Sequence, residues 1–286
     1  ENNIFYKNKG AIEISQTGQY NISYNTIYDN DNSRDGSAID PYGGSSQSAW
    51  STPISVLSNT IVENTSTSSA ILTFQPENGD PDFVLNYNNF INNISDYDVK
   101  NYRSGSLKDI NAENNYWGTV VESKIQERIY DWNEDGSKGY VDYNPFLNEL
   151  DTLAPISPPQ NLSKLKSGND LILSWSANLE TDVSGYKLYY GNPTGYSYDT
   201  VIDLGNVTTY TLTDGDLSTE YAITAYDSVA DGTDDQVEGN ESWFSVSKTI
   251  YVAISTSSSE FSEPSGSLEL TASLSNTHSS DVTVNL

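Results

Sequence analysis

The feature that most constrains this chain is a short box that recurs through its first half. It reads Asn2-Asn3-Ile4-Phe5, Asn25-Thr26-Ile27-Tyr28, Asn59-Thr60-Ile61-Val62, Asn88-Asn89-Phe90-Ile91 and Asn114-Asn115-Tyr116-Trp117, at spacings of 23, 34, 29 and 26 residues. Each unit carries only a few apolar residues, too few to bury a face alone, so the units must stack on one another. The irregular period predicts coils of short strands and turns, with apolar side chains stacked inward and Asn satisfying backbone groups at bends. Insertions then fall on one side, and the largest, roughly 29 to 53, is rich in Asp, Gly and Ser and reads as a projecting loop. After the last box, Val121, Ile125 and Ile129 recur four apart within Val120–Trp132, the one amphipathic helical pattern, which predicts a helix capping the end of the stack.

Composition agrees with strands. Tyr outnumbers Phe by 21 to 7, and hydrophobic residues make up 35% of the 286, so small polar residues fill the rest. That mixture suits many short strands joined by polar turns and gives the expectation of an all-β chain. Forty acidic against 13 basic residues leave a net charge of −27, which repels nucleic acid and anionic membranes and favours cations as small partners. No run of 18 apolar residues exists to span a bilayer as a helix. Cys is absent, so disulfides and thiolate metal sites are excluded and the redox compartment cannot be read. The opening Glu1-Asn2-Asn3-Ile4-Phe5 is neither an initiator nor an apolar leader, which gives the expectation that coils precede Glu1.

The Asn boxes, the ending Asn114-Asn115-Tyr116-Trp117-Gly118-Thr119 and the closing Tyr140-Val141-Asp142-Tyr143-Asn144-Pro145-Phe146-Leu147 resemble the C-terminal coils of right-handed parallel β-helix proteins of the pectate-lyase-like class, over residues 1–150. That class holds polysaccharide lyases and glycosidases and also non-catalytic surface proteins, so the resemblance leaves function open.

Three prolines within Pro155-Ile156-Ser157-Pro158-Pro159 predict a stiff extended linker and a domain boundary near residue 151. Beyond it, alternating runs at Leu171–Trp175, Gly185–Tyr190, Thr208–Thr213, Tyr221–Tyr226 and Phe244–Lys248 predict a β-sandwich. Leu171-Ile172-Leu173-Ser174-Trp175, Gly185-Tyr186-Lys187-Leu188-Tyr189-Tyr190 and Thr219-Glu220-Tyr221-Ala222-Ile223-Thr224-Ala225-Tyr226-Asp227 resemble a fibronectin type III domain over 151–250, which implies Trp175 in the core and Tyr221 at the tyrosine corner. The departure is a lengthened acidic loop, Ser228–Gly239, whose Asp231, Asp234, Asp235 and Glu238 read as a solvated loop ahead of a cation site. Ser262-Glu263-Pro264-Ser265-Gly266 followed by Leu268-Glu269-Leu270-Thr271-Ala272-Ser273-Leu274 is similar to the start of a Calx-β domain over 251–286, stopping in mid-pattern, and that resemblance implies a Ca²⁺-binding role for Glu263. The expected fold class is therefore all-β: a right-handed parallel β-helix, a fibronectin type III β-sandwich and a partial Calx-β-like β-sandwich.

Candidate chemistry narrows quickly. With one His, His278, and no Cys, a His-dependent triad could be built only around His278, which reads as a turn residue with no placed partner. Paired carboxylates remain, since glycoside hydrolysis needs only two. The densest groups are Asp29, Asp31, Asp35 and Asp40 with Arg34, then Asp80, Asp82, Asp96 and Asp98; each reads as a loop or weak cation site ahead of a catalytic one. Asp131, Asn133, Asp135 and Asp142 take the spacing of an EF-hand-type Ca²⁺ loop, with Gly136 at the sharp turn. Lys138 and Gly139 depart from that pattern, a strand follows, and the same spacing also reads as the terminal turn of a β-helix. Trp50, Tyr42, Tyr97 and Tyr102 are loop aromatics of the kind sugars stack on, or packing residues.

Together these give two expectations. The first is a non-catalytic extracellular or cell-surface array, scaffold, adhesive or carbohydrate-binding, with a polysaccharide or another extracellular surface as partner and Ca²⁺ as the expected cofactor. The alternative is the tail of a secreted polysaccharide lyase or glycoside hydrolase with accessory modules.

Overall fold

The computed structural model describes residues 1–10, 12–14, 18–32, 37–43, 53–76, 81–103, 108–192, 194–247, 252–256 and 270–274. The first half runs through β1 (Ile4–Tyr6), β2 (Ile12–Ile14), β3 (Tyr20–Ser23), β4 (Thr26–Tyr28), β5 (Ile39–Gly43), β6 (Ile54–Leu57), β7 (Thr60–Val62), β8 (Thr65–Pro76), β9 (Phe83–Asn86), β10 (Asn89–Ile91), β11 (Ile94–Asn101) and β12 (Ile110–Asn111). It closes with α1 (Glu122–Gln126), β13 (Ile129–Tyr130) and β14 (Val141–Asp142). Every third strand pairs in parallel. Sheet I is β1-β4-β7-β10, sheet II is β2-β5-β8-β11-β13, and sheet III is β3-β6-β9-β12-β14. The result is a β-helix-like stack in which each turn of chain adds one rung to each sheet.

The boxes supply sheet I. Ile4 pairs with Thr26, Thr26 with Thr60 and Thr60 with Asn89, so the residue after each of these stacks inward, as Phe5, Ile27, Ile61 and Phe90. Ile39, Leu72, Val99 and Ile129 from sheet II and Ile22, Val56, Leu85 and Ile110 from sheet III fill the same core. Burying each such side chain is worth about 1.5–3 kcal/mol, which lets strands of three or four residues hold together.

The corners repeat as closely as the strands. Tyr24, Ser58, Tyr87 and Asn114 have φ of 55°, 51°, 61° and 57°, and each precedes the box Asn, namely Asn25, Asn59, Asn88 and Asn115. Asn25 donates through Nδ2 to Asn59 Oδ1 (2.8 Å), Asn59 to Asn88 Oδ1 (2.9 Å), and Asn88 to Asn115 Oδ1 (3.0 Å). A second ladder lies five residues on. Asp29, Glu63 and Asn92 take φ of 51°, 52° and 49°, and Asn30 Nδ2 donates to Asn64 Oδ1 (2.8 Å) and Asn64 Nδ2 to Asn93 Oδ1 (3.1 Å). A left-handed corner leaves backbone N–H and C=O groups inside the turn, and a stacked Asn satisfies both kinds at once.

Two expectations need correction here. The stretch 29 to 53 is not one projecting loop: Asn30 belongs to the second ladder, Ala38 and Ile39 are fully buried, and β5 pairs with β2 and β8. Only its 33–36 and 44–52 portions lie outside the described residues. The helix is also shorter than its pattern and does not end the stack. Val121 is exposed, Ile125 is buried, and Ile129 already belongs to β13, because the chain leaves the helix to give sheet II another rung, Val99 to Ile129 and Lys100 to Tyr130.

The second half forms β15 (Gln160–Ser167), β16 (Asp170–Ser176), β17 (Val183–Tyr190), β18 (Thr200–Gly205), β19 (Thr209–Leu212), β20 (Tyr221–Asp227), a short α2 (Asp235–Glu238) and β21 (Ser245–Val246). These make two antiparallel sheets, β15-β16-β19 and β18-β17-β20-β21, around a core of Leu171, Leu173, Trp175, Tyr186, Leu188, Tyr221 and Ile223. A hairpin of β22 (Val252–Thr256) and β23 (Leu270–Leu274) follows. Glu263 and His278 lie outside the described residues.

The proline run is docked. Ala154 through Pro159 are buried, and the outward faces of sheet I receive the segment that contains them. Asn89 Nδ2 donates to Asp151 O (2.9 Å) while Asp151 N donates to Asn89 Oδ1 (2.8 Å), and Thr60 Oγ1 donates to Pro155 O. The outward row Tyr6, Tyr28, Val62 and Ile91 packs with Leu150, Tyr116 and Trp243. Proline cannot continue a sheet as a donor, but its rigid apolar ring can cover one.

Candidate functional site

Sheet II presents one outward row across all its rungs. Glu13 pairs with Asp40, Thr73 with Lys100 and Lys100 with Tyr130, while Ile39 opposite Leu72 sets Asp40 beside Thr73. The residues flanking this row, Ile39, Leu72, Val99 and Ile129, point into the core, so the period of two turns the row outward. At one end are carboxylates. Burial raises the pKa of Asp40 to about 6, Gln75 donating from 3.3 Å opposes that rise, and the nearby Glu13 adds to it.

At the other end are lysines and aromatic rings. Lys100 Nζ lies 4.4 Å from the Tyr102 ring centroid and 4.8 Å from that of Tyr130, and Lys138 Nζ lies 4.7 Å from Tyr102 on its other approach. Tyr97 meets Tyr130 edge to face at 5.4 Å. Burial lowers the pKa of Lys100 first, the neighbouring Lys138 lowers it further, and Asp96 opposes both. From the same last coil, Trp132 and Tyr140 form an exposed pair, their rings 5.2 Å apart and 45% and 43% exposed. In a chain of net charge −27, two lysines held against two tyrosine rings are a local exception, and ring faces beside an ammonium group suit a sugar bearing hydroxyl or acidic substituents.

Other carboxylates singled out from the sequence have structural partners. Asp98 is buried and takes a two-pronged ion pair from Arg128, Nε to Oδ2 at 3.1 Å and Nη2 to Oδ1 at 2.7 Å. Burial raises its pKa, and the Arg128 hydrogen bond and charge pull it back. The same guanidinium donates to Ser95 O and Asn93 O, closing the second ladder where no further Asn follows. Asp82 pairs with Lys108 at 2.8 Å in solvent. Asp31 bridges to Thr65, and Asp29 lies on a corner turn. Arg34, Asp35, Asp80 and Trp50 lie outside the described residues, as does the Tyr42 side chain.

The 131–142 loop is tied to itself. Asp131 is buried, its Oδ1 accepting from Asn133 N (2.9 Å) and its Oδ2 from Val141 N (3.0 Å). Asp135 accepts from Ser137 N (3.0 Å), which lowers its pKa, and Asp142 is an exposed residue of β14. Among the described residues no group of three or more His, Cys, Asp or Glu side chains is placed to hold a metal ion. In the 228–239 loop Asp235 is likewise committed, accepting from Asp231 N and Gly232 N at 2.9 Å. Trp175 and Tyr221 are core residues.

Of the loop aromatics proposed from sequence, Tyr97 and Tyr102 meet on the lysine end of sheet II. Lys100, Tyr130, Trp132 and Tyr140 went unremarked there. No signal marks them, because α1 lengthens the last coil and Tyr130 falls at a different distance from its box than Lys100 does.

No protein-family model and no curated protein matches the chain. Among solved structures, a partial match is to the spore cortex lytic enzyme SleM of Clostridium perfringens, at 22% identity over 35% of this chain and 30% of that chain, with a TM-score of 0.25. The alignment thus spans less than a third of the SleM chain, and an overlap this low carries no argument about fold or activity.

Proposed function

We propose that the chain is a non-catalytic, carbohydrate-binding scaffold piece of an extracellular or cell-surface protein. The observation that carries this is the Lys100, Tyr102 and Tyr130 cluster, with Trp132 and Tyr140 beside it, on the outward face of the last coils. A glycan lying along sheet II would stack on these rings, with Lys100 reaching its oxygens and the buried Lys138, which donates to Arg103 O (3.2 Å), bracing Tyr102 from within. The docked proline run supports the scaffold part: it makes the coils and the two antiparallel sheets a stiff bracket rather than beads on a tether.

In this reading the two antiparallel sheets are a fibronectin type III sandwich. Three strands face four, Trp175 is buried against Tyr186, and Tyr221 Oη accepts from Asp216 N (3.2 Å) five residues upstream, which is the geometry of a tyrosine corner. The coils are the right-handed parallel β-helix of the resemblance, and the β22–β23 hairpin is the start of a Calx-β-like unit. A glycan array probed with the whole chain and with Tyr102→Ala tests the binding. Retention of a glycan by the parent and its loss in the variant support the proposal; no retained glycan sinks it.

One observation favours a second reading, glycoside hydrolysis. Glu13 and Asp40 sit opposite each other on adjacent rungs, their backbones about 4.8 Å apart, so that two carboxylates share one face as glycoside hydrolysis requires. Asp40, with its pKa near 6, would then be the acid. Release of reducing sugar by the parent and not by Asp40→Asn would establish this reading over the first.

A further inference from the structure

The lengthened acidic loop Ser228–Gly239 has no part in the binding proposed above, yet its helical turn closes on a lysine of the four-stranded antiparallel sheet. Lys187 lies between the core residues Tyr186 and Leu188 of β17, so it stands on the outer face of that sheet, opposite Thr224 of β20. Its Nζ donates to Glu241 Oε2, lies 3.9 Å from Asp235 Oδ2, and is 5.3 Å from the Tyr226 ring centroid. The lysine side chain is 19% exposed, Glu241 4% and Asp235 5%. One ammonium and two carboxylates are thus held together almost out of water, where each unneutralised charge is costly.

The two acids are held in ways that suit two different roles. Asp235 Oδ1 accepts from Asp231 N and its Oδ2 from Gly232 N, each at 2.9 Å. Backbone N–H groups can only donate, so they polarise the carboxyl carbon and steady charge that develops on its oxygens. Glu241 Oε1 accepts instead from the hydroxyls of Tyr189 and Thr224, each at 2.6 Å, which leaves Oε2 to Lys187 Nζ. A carboxylate in direct hydrogen-bond contact with an amine is placed to take a proton from it and hand it on. We infer that Lys187 and Asp235 are the site of an intramolecular isopeptide bond, formed with Glu241 as its catalytic base and acid. Glu241 Oε2 takes a proton from the ammonium, and the freed amine attacks Asp235 Cγ. A rotation of the flexible lysine stem brings the two to the contact of about 3–3.5 Å that a reaction needs. The N–C bond forms, Glu241 relays protons to the departing oxygen, the C–O bond breaks, and water leaves. Of the three ammonium protons one stays on the amide and two leave with the oxygen, so Glu241 ends ionised as it began and no other reactant is consumed. The product removes one positive and one negative charge from a site shut away from water, and it ties the centre of the sheet to the loop after β20.

Mass spectrometry of the whole folded chain tests this. The parent should be lighter than its sequence by the mass of one water. Trypsin cuts after a free Lys187 and not after an acylated one, so residues 167–248 should be released as a single piece, and its fragmentation should place the link between Lys187 and Asp235. Cyclisation of Glu1 also loses one water but leaves Lys187 open to trypsin, so the digest tells the two apart. Glu241→Gln keeps the shape of the side chain and removes the proton relay, and Asp235→Ala removes the carbon attacked. Each should show the full mass and a cut at Lys187, with circular dichroism reporting an intact fold. A folded parent of full mass that is cut at Lys187 overturns the inference. So does a link that ends on Glu241, or one that forms undiminished in Glu241→Gln.

Discussion

Asn59→Ala should remove a large part of the stability that the first ladder gives. The side chain is fully buried at the centre of the stack. Its Oδ1 accepts from Asn25 N (3.0 Å) and Asn25 Nδ2 (2.8 Å), and its Nδ2 donates to Ile22 O (2.9 Å), Leu57 O (3.0 Å) and Asn88 Oδ1 (2.9 Å). Asn88 Oδ1 keeps the Asn59 backbone N–H, and Leu57 O keeps a bond from Tyr24 N, so the variant strands three groups: the Asn25 N–H, the Asn25 amide and Ile22 O. At about 1–3 kcal/mol for each buried group left unpaired, the loss is about 3–6 kcal/mol once partial relaxation is allowed. That is a large share of the stability of an ordinary domain, about 5–15 kcal/mol. Urea unfolding followed by circular dichroism measures it. Asn59→Asp sharpens the test, since it keeps one acceptor and replaces the donor with a second carboxylate oxygen turned toward three acceptors. Its folded-state pKa must rise, so its stability is greatest in acid and falls as pH climbs past the unfolded carboxyl value toward the folded one. It should therefore be more damaging at pH 7.5 than at pH 4.5. A loss below about 1 kcal/mol for Asn59→Ala at unchanged m-value, or a pH-independent Asn59→Asp, would refute the account of the ladder.

Four further outcomes are expected. Arg128→Ala leaves the buried Asp98 carboxylate unpaired and should cost about 3–5 kcal/mol, whereas Lys124→Ala, which breaks only the exposed pair with Glu127, should cost under about 1 kcal/mol in the same assay. Asp40 has a raised folded pKa near 6, so its contribution to stability declines as pH rises from about 4 to 7, by at most about 3 kcal/mol for a shift of about two units, and Asp40→Asn should flatten that slope in pH-dependent melts. Asn89→Ala removes the reciprocal bonds to Asp151, and calorimetry should show the unfolding separating into two transitions, with a single unchanged transition counting against the bracket. Because both oxygens of Asp131 are already bonded to backbone, millimolar Ca²⁺ and chelator should give equal melting midpoints when the Asp131→Asn variant is compared with the parent; a Ca²⁺-dependent rise lost in the variant would restore the metal reading of that loop.

The boxes made the stack legible because a side chain that must meet its equivalent one rung away leaves a repeat in the sequence. The second ladder was equally written there, at Asn8, Asn30, Asn64 and Asn93, five residues after Asn3, Asn25, Asn59 and Asn88. It was passed over because apolar periodicity, not Asn spacing, defined the boxes. The helix was overread for a related reason: Val121, Ile125 and Ile129 fit a helical period, yet Ile129 gains more from pairing with Val99 than from another helical turn. The proline run showed a break in the ladder but not its cover, since docking depends on the outward residues of sheet I, which lie about 60 to 150 residues away in sequence.

By itself, the sequence determined the all-β class, the stacking repeat and the acidic balance of charge, because each follows from residue type or local spacing. Tertiary structure alone decided that Glu13 and Asp40 meet at one end of sheet II and Lys100 meets Tyr102 and Tyr130 at the other. It also decided that Lys187 meets Asp235 and Glu241. Coils of unequal length bring residues together through strand register, and register is set by core packing across rungs rather than by any pattern a single coil carries.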